Sequence, residues 1–262
     1  MPYANNQGIN IYYEVEGQGP PLLLAHGGTG NLNSWRAYGY VDQLRQDYTL
    51  ILYDARGHGQ SDKPHEPTAY DYRLLTADAI AVLDACQIDN CHFWGYSLGG
   101  YVGFALAKHY PTRLRSLILG GCSPYAERRP TTEAPSPFAQ VFQRGIQGGP
   151  DAVVRGMEEL FGTITPHYAE RLRNLDYGAM VAFLDYWDYQ LPHLDDVLPT
   201  MTMPCLIYIA DGDDPEFAHT KEYMKQMPKA TLLGLTGYNH VNANTALDRI
   251  VPQVLQFLAA AQ

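Results

Sequence analysis

The sequence contains few cysteines and no long apolar run, and each scarcity excludes a class of protein. Four cysteines occur in 262 residues, and their scattered positions lack the paired spacing of a disulfide-stapled domain. No apolar stretch approaches the roughly 20 residues that a membrane-spanning helix requires. The first residues are neither basic nor apolar, so we expect no signal peptide and a cytoplasmic location.

Basic residues and metal-binding patterns are also scarce. Lysine and arginine together number 18 against 28 aspartates and glutamates, which gives a formal net charge of −10. Such a chain is poorly suited to phosphate backbones or anionic lipid, so we expect neither a nucleic-acid nor a membrane partner. No H-E-x-x-H, C-x-x-C or phosphate-loop pattern occurs, and we expect no metal and no cofactor.

The most informative feature that the chain does contain is the segment Gly95-Tyr96-Ser97-Leu98-Gly99. A short apolar run precedes it, and a pattern typical of a helix follows it. A strand, a sharp turn and a helix are the setting in which a serine is exposed as a nucleophile. Glycine on either side fits a turn too tight for larger side chains. A glycine-rich turn without catalytic function is the alternative, but the setting favours a nucleophilic Ser97.

A nucleophilic serine needs a base and a carboxylate that orients the base, and candidates for both lie downstream. The candidate base is His240, which follows the short apolar run at 231–235. The candidate acids Asp211, Asp213 and Asp214 follow another apolar run at 205–210. Both segments come directly after a predicted strand, where the carboxyl edge of a parallel sheet gathers ligands and chemistry.

The other histidines lack this combination of chain order and position after a strand. We expect His26 and His58 to hold loops by hydrogen bonding, because both lie in glycine-rich turns. His92 falls within a predicted strand, too far from the carboxyl edge to act as the base.

Motifs along nearly the whole chain resemble those of the α/β-hydrolase superfamily. Residues 22–28 resemble its strand and His-Gly loop, 54–61 its D-x-R-G-x-G-x-S turn, 210–215 its acid loop and 237–240 its histidine loop. The resemblance implies a serine esterase or lactonase with a helical cap. It implies that Asp214, which precedes Pro215, is the triad acid, although Asp211 stands where the family usually has glycine.

The resemblance also implies where the oxyanion of an acyl-transfer intermediate would bind. Leu98 is the first residue of the predicted helix after the serine. Its backbone N–H therefore lies where the helix dipole favours negative charge. The backbone N–H of Gly28 is the second donor by resemblance to the family. The triad Ser97, Asp214 and His240 would then hydrolyse an acyl-enzyme without any cofactor.

The order of patterns predicts an α/β fold with a doubly wound, mostly parallel sheet. We expect residues 1–121 and 200–262 to form the α/β-hydrolase core, with one helix over 34–46 and a capping box at 245–248. Residues 122–199 open with prolines and continue with helical patterns. We expect this insertion to be a helical cap over the site, and the alternative is an excursion that only adds stability.

The expected substrates are small to medium carboxylic esters or lactones, and the expected state is a monomer or homodimer. Four aromatic residues are candidates for the substrate pocket, each with simple packing as the alternative: Trp35, Tyr96, Tyr186 and Trp187. Two further functions stay open from the sequence. One is a C–C bond hydrolase of vinylogous diketones, and the other is a ligand receptor with slow turnover.

Overall fold

A computed structural model of the protein describes residues 2–125, 128–211 and 215–261. One eight-stranded sheet organises this part of the chain. In chain order its strands are β1 (Tyr3–Asn6), β2 (Ile9–Gly17), β3 (Pro21–Ala25), β4 (Thr49–Tyr53), β5 (Cys91–Tyr96), β6 (Leu114–Gly120), β7 (Cys205–Ala210) and β8 (Ala230–Leu235). Their spatial order is β1-β2-β4-β3-β5-β6-β7-β8. The β1–β2 and β2–β4 pairs are antiparallel, and all pairs from β4 to β8 are parallel.

Helices connect the parallel strands and cover the sheet. They are α1 (Asn33–Ala37), α2 (Tyr40–Leu44), α3 (Tyr72–Ala85), α4 (Leu98–His109), α5 (Pro137–Gly148), α6 (Pro150–Phe161), α7 (Pro166–Arg173), α8 (Tyr177–Gln190), α9 (Pro215–Met224) and α10 (Leu247–Ala260). None of the helices among the described residues is both long and apolar enough to cross a bilayer. The predicted doubly wound, mostly parallel sheet is confirmed.

The strands are buried on both faces because helices pack on each side. In β3, Leu23 belongs to an apolar cluster with residues of α3 and α4. Its neighbours Leu22 and Leu24 belong to a second cluster with residues of α2 and α10. Successive side chains of a strand point to opposite faces, so a strand between two helical layers must be apolar throughout.

Two local expectations are wrong. The predicted single helix over 34–46 is two short helices, because Gly39 between them has a φ of +85°. Such left-handed backbone interrupts a right-handed helix and suits glycine. The predicted capping box at 245–248 is not formed, since the Thr245 hydroxyl donates to the Asn242 carbonyl at 2.7 Å instead.

The segment between β6 and β7 contains α5, α6, α7 and α8 and, among its described residues, no strand. It contacts the loop after β3 at two places. The hydroxyls of Tyr168 on α7 and Thr29 are 3.2 Å apart. A Cβ placed on Gly28 would lie 3.2 Å from Cε1 of Phe183 on α8. These helices therefore adjoin the carboxyl edge of the sheet, where the loops after β3, β5 and β8 meet.

Candidate active site

The turn between β5 and α4 holds Ser97 in a conformation rare for a residue with a side chain. Its φ is +53° and its ψ is −112°. The neighbouring glycines permit the turn, since a Cβ on Gly95 would lie 2.1 Å from the Gly99 carbonyl oxygen and one on Gly99 2.2 Å from the Ala25 oxygen. The N–H of Ser97 donates to the Gly120 carbonyl at 2.8 Å. The surrounding backbone thus stabilises a strained residue, as is common at functional sites.

The loop after β8 brings His240 to this serine. Ser97 Oγ and His240 Nε2 are 3.1 Å apart, which is hydrogen-bonding distance for a nucleophile and its base. The Tyr96 hydroxyl donates to the His240 carbonyl, and the two rings lie 5.7 Å apart between centroids. Asn239 fixes the same loop, since its side-chain oxygen accepts from the N–H of Val241 at 3.0 Å. Residues 143 positions apart in the chain therefore meet at one edge of the sheet.

The sequence-predicted acid, Asp214, lies outside the described residues, as does the alternative Asp213. The third candidate, Asp211, is described at the end of β7. Its Oδ2 accepts a hydrogen bond from the Thr236 hydroxyl at 2.6 Å. Asp211 therefore helps to hold the segment between β8 and His240 in place.

The two predicted oxyanion donors, Gly28 and Leu98, line the same cavity as Ser97 and His240. Within the described part of the chain, no turn or loop hydrogen bond between backbone groups uses the N–H of either residue. Leu98 is the first residue of α4, and the first N–H groups of a helix have no partner inside it. Both N–H groups are therefore suited to an anion forming beside Ser97.

Two buried histidines hold the loop that contains Gly28 in place by hydrogen bonds. His26 Nδ1 lies 2.8 Å from the Gly27 carbonyl, and its Nε2 accepts from the Ala55 N–H at 3.0 Å. His58 Nε2 lies 2.7 Å from the Gly28 carbonyl. Burial lowers the pKa of His26 to about 3 and also lowers the pKa of His58. The expectation that these histidines hold loops is confirmed.

A cavity of about 510 Å³ opens beside Ser97 and is bounded by the loop after β3 and by residues of α7 and α8. Of the four predicted pocket aromatics, Trp35, Tyr96 and Trp187 line it. Trp35 is almost fully buried and forms only part of the cavity wall. Trp187 packs edge-on against Tyr101, with ring centroids 5.3 Å apart.

Tyr186, the fourth, is buried but is not part of the cavity lining, contrary to expectation. Its hydroxyl accepts from the Tyr72 backbone N–H at 3.4 Å, so it packs α8 onto the start of α3. Adjacent residues of a helix point about 100° apart, which places Trp187 at the cavity and Tyr186 away from it. A single sequence does not reveal which of two neighbouring aromatics faces the cavity.

Arg171, on α7, is a cavity residue that sequence reasoning missed. Its Nη1 donates to the Ser34 hydroxyl and to the Tyr38 hydroxyl, both at 3.2 Å. It belongs to no motif, and its position at the cavity follows only from how α7 packs. Among the described residues, no group of three or more histidine, cysteine, aspartate or glutamate side chains is arranged to hold a metal.

Residues 20–155 match the family described as alpha/beta hydrolase fold. The chain belongs to this family. Its similarity to the enol-lactonase of Burkholderia xenovorans LB400 extends over 98% of this chain and all of that one, with a TM-score of 0.80 and 24% identity. That likeness establishes the shared α/β-hydrolase fold.

Curated relatives match over different lengths. A provisionally assigned carbamate hydrolase of Azorhizobium caulinodans is 35% identical over 119 residues, which are 45% of this chain and 43% of that protein. This alignment spans less than half of that relative. A provisionally assigned non-heme chloroperoxidase of Synechocystis sp. is 28% identical over 98% of this chain and 100% of its own length. The α/β-hydrolase fold therefore spans the chain, while the relatives' named reactions differ.

Proposed function

We propose that this α/β-hydrolase is a serine hydrolase that cleaves small to medium carboxylic esters or lactones through an acyl-enzyme. The observation that carries the proposal is the 3.1 Å contact between Ser97 Oγ and His240 Nε2 at the wall of a cavity. The positive φ of Ser97 adds support, because an exposed serine on a strained strand-to-helix turn is the arrangement of a nucleophile elbow.

In the proposed reaction, Ser97 Oγ attacks the carbonyl carbon while His240 Nε2 accepts the serine proton. The N–H groups of Leu98 and Gly28 stabilise the oxyanion, and His240 then protonates the departing alcohol. Water attacks the acyl-enzyme, His240 takes a proton from that water, and the carboxylic acid leaves as Ser97 regains its proton. Asp214 is assigned, from its place in the sequence, to orient the imidazole ring.

We further propose that α5 to α8 act as a cap, with the core formed by residues 1–121 and 200–262. The packing of α7 and α8 against the loop after β3 supports this assignment. Phe183 of α8 lies against Gly28, and its ring also packs edge-on against His58, 6.0 Å away between centroids. A cap in this position would exclude water from the reacting atoms and shape the pocket.

Pre-steady-state kinetics with p-nitrophenyl butyrate test the acyl-enzyme directly. We expect a burst of p-nitrophenol equal to the enzyme concentration, followed by a slower steady rate as the acyl-enzyme hydrolyses. A panel with a γ-lactone and a ring-fission vinylogous diketone measures which bond is cleaved best. Preferred turnover of the diketone, or binding of all compounds with negligible turnover, would contradict the esterase proposal.

A further inference from the structure

Arg171 brings a permanent positive charge to the wall of the cavity that contains Ser97 and His240. The guanidinium is held in place on two sides. Its Nη1 donates to the hydroxyls of Ser34 and Tyr38, and its central carbon lies 4.8 Å from the Tyr168 ring centroid and 5.9 Å from that of Tyr38. A fixed guanidinium loses little side-chain entropy when it binds a ligand.

No described carboxylate neutralises this charge. None of the ion pairs among the described residues includes Arg171. In a chain with ten more acidic than basic residues, an arginine that is not exposed and has no carboxylate partner is unusual. Arg129, which also lines the cavity, differs because it pairs with Glu133 at 3.2 Å.

The unused part of the Arg171 guanidinium is the edge formed by Nε and Nη2. Nε is buried and has no hydrogen-bond partner among the described residues. Nη2 donates none of the side-chain hydrogen bonds found there, in contrast to Nη1. A buried donor without a partner costs free energy, and this edge therefore lacks the acceptors that it usually has in folded proteins.

Arg56 demonstrates what this edge binds in the same protein. Its Nε and Nη2 donate to the two carboxylate oxygens of Asp78, each at 2.6 Å. The two parallel N–H groups match the spacing of carboxylate oxygens, which makes the pair strong and specific in orientation. Arg171 lines the cavity, and no aspartate among the described residues pairs with its guanidinium in this way.

We propose that Arg171 binds a carboxylate of the substrate, and that the enzyme prefers esters or lactones with such an anionic group. This inference rests on the proposed function and specifies its substrate class. The carboxylate accepts from the guanidinium of Arg171, while the carbonyl to be attacked lies beside Ser97. The net negative charge of the protein disfavours anions in general, so a preference for an anionic substrate requires a local cation.

A matched pair of substrates tests the proposal. The p-nitrophenyl monoester of glutaric acid has a terminal carboxylate, and p-nitrophenyl 5-methylhexanoate replaces that carboxylate by an isopropyl group of similar shape. We expect the wild-type kcat/KM for the glutarate ester to exceed that for the neutral ester. In Arg171→Gln, we expect the ratio of the two values to fall about tenfold to one hundredfold.

Two further variants separate recognition of the carboxylate from other effects. Arg171→Lys keeps the positive charge but lacks the planar guanidinium. Its ratio of the two kcat/KM values should therefore fall less than that of Arg171→Gln. Arg155→Gln removes an exposed arginine of α6 that does not line the cavity, and its ratio should equal that of the wild type. A wild-type preference for the neutral ester, or equal losses on both esters in Arg171→Gln, would overturn the proposal.

Binding of inert amides keeps the inference testable if neither ester is hydrolysed. Calorimetry with glutaranilic acid and N-phenyl-5-methylhexanamide compares the same two acyl groups without turnover. Tighter binding of the acid to the wild type, lost in Arg171→Gln, would support the carboxylate site even if the proposed hydrolysis failed. Equal affinity of both amides for the wild type would contradict the site while leaving the proposed hydrolysis open to its own test.

Discussion

One serine–histidine contact lies at the carboxyl edge of the sheet and another lies in its interior. At the edge, Ser97 Oγ is 3.1 Å from His240 Nε2. In the interior, Ser116 Oγ is 2.8 Å from His92 Nδ1, with the two residues opposite each other on β6 and β5. The interior contact is the shorter of the two, so hydrogen-bond length alone does not distinguish a candidate nucleophile from a structural serine.

The surroundings of the two serines differ in every respect that matters for nucleophilic attack. Ser116 and His92 are fully buried on two paired strands, next to a register shift between Cys91 and His92, and have no route to a substrate. Ser97 lies on a strained turn beside a cavity, next to the first N–H groups of α4. Access and the nearby N–H groups at the start of α4, rather than a serine–histidine pair alone, therefore define the candidate site.

The largest expected difference between the two contacts is in catalysis. We expect Ser97→Ala to lower kcat for ester hydrolysis by about 10⁴-fold or more, because the nucleophile is removed. The matched variant Ser116→Ala should keep most of the wild-type kcat and instead lower the melting temperature, because it leaves a buried His92 nitrogen without its partner. Comparable loss of kcat in both variants, or residual turnover near wild type in Ser97→Ala, would contradict the assignment.

The next effect in size concerns the carboxylate proposed to orient His240. We expect Asp214→Ala to lower kcat by about 10³-fold or more, by analogy with other triads. Asp211→Ala is the matched control, since the Asp211 carboxylate already accepts from Thr236 and its loss should affect mainly loop stability. Steady-state kinetics on both purified variants decide the assignment, which would be wrong if Asp211→Ala were the more damaging change.

The smallest expected effect is on stability, and it arises from the interior contact. Burial lowers the pKa of His92 from 6.5 to about 4, so the folded protein keeps this ring neutral while the unfolded chain protonates it. The unfolded state therefore binds more protons as pH falls from 6.5 to about 4, and folding stability declines over that range. Between pH 7 and pH 5 this contribution is roughly 2 kcal/mol.

Urea unfolding of the wild type and His92→Gln at pH 7 and pH 5 measures this contribution. Glutamine does not titrate, so the variant should lose less stability between the two pH values than the wild type. The buried His26 is present in both proteins, and its effect cancels in the comparison. Identical pH dependence of the two proteins would indicate that His92 does not cause the loss of folding stability between pH 7 and pH 5.

The sequence was sufficient for the features that depend on chain order and periodicity. Alternating apolar runs and helices predicted the doubly wound sheet, and the setting of residues 95–99 predicted a serine on a tight turn between a strand and a helix. Chain order also selected His240, because loops after parallel strands meet at one edge. These inferences need only local geometry and the topology of parallel strands.

Features that depend on packing between distant elements could not be predicted. Tyr186 and Trp187 are adjacent and chemically similar. Only the way α8 packs against the rest of the protein determines that Trp187 faces the cavity. Arg171 belongs to no motif, and its role arises from how α7 lies against Ser34 and Tyr38. The break between α1 and α2 at Gly39 was missed because an isolated glycine is often tolerated within a helical pattern.

The most direct measurement for the whole account is labelling with a fluorophosphonate, followed by intact mass and peptide mapping. Such reagents react much faster with a serine that a nearby base activates than with an ordinary hydroxyl. We predict one adduct per chain, at Ser97, in both the wild type and Ser116→Ala, and none in Ser97→Ala. An adduct on another residue, or undiminished labelling of Ser97→Ala, would contradict the claim that Ser97 is the nucleophile.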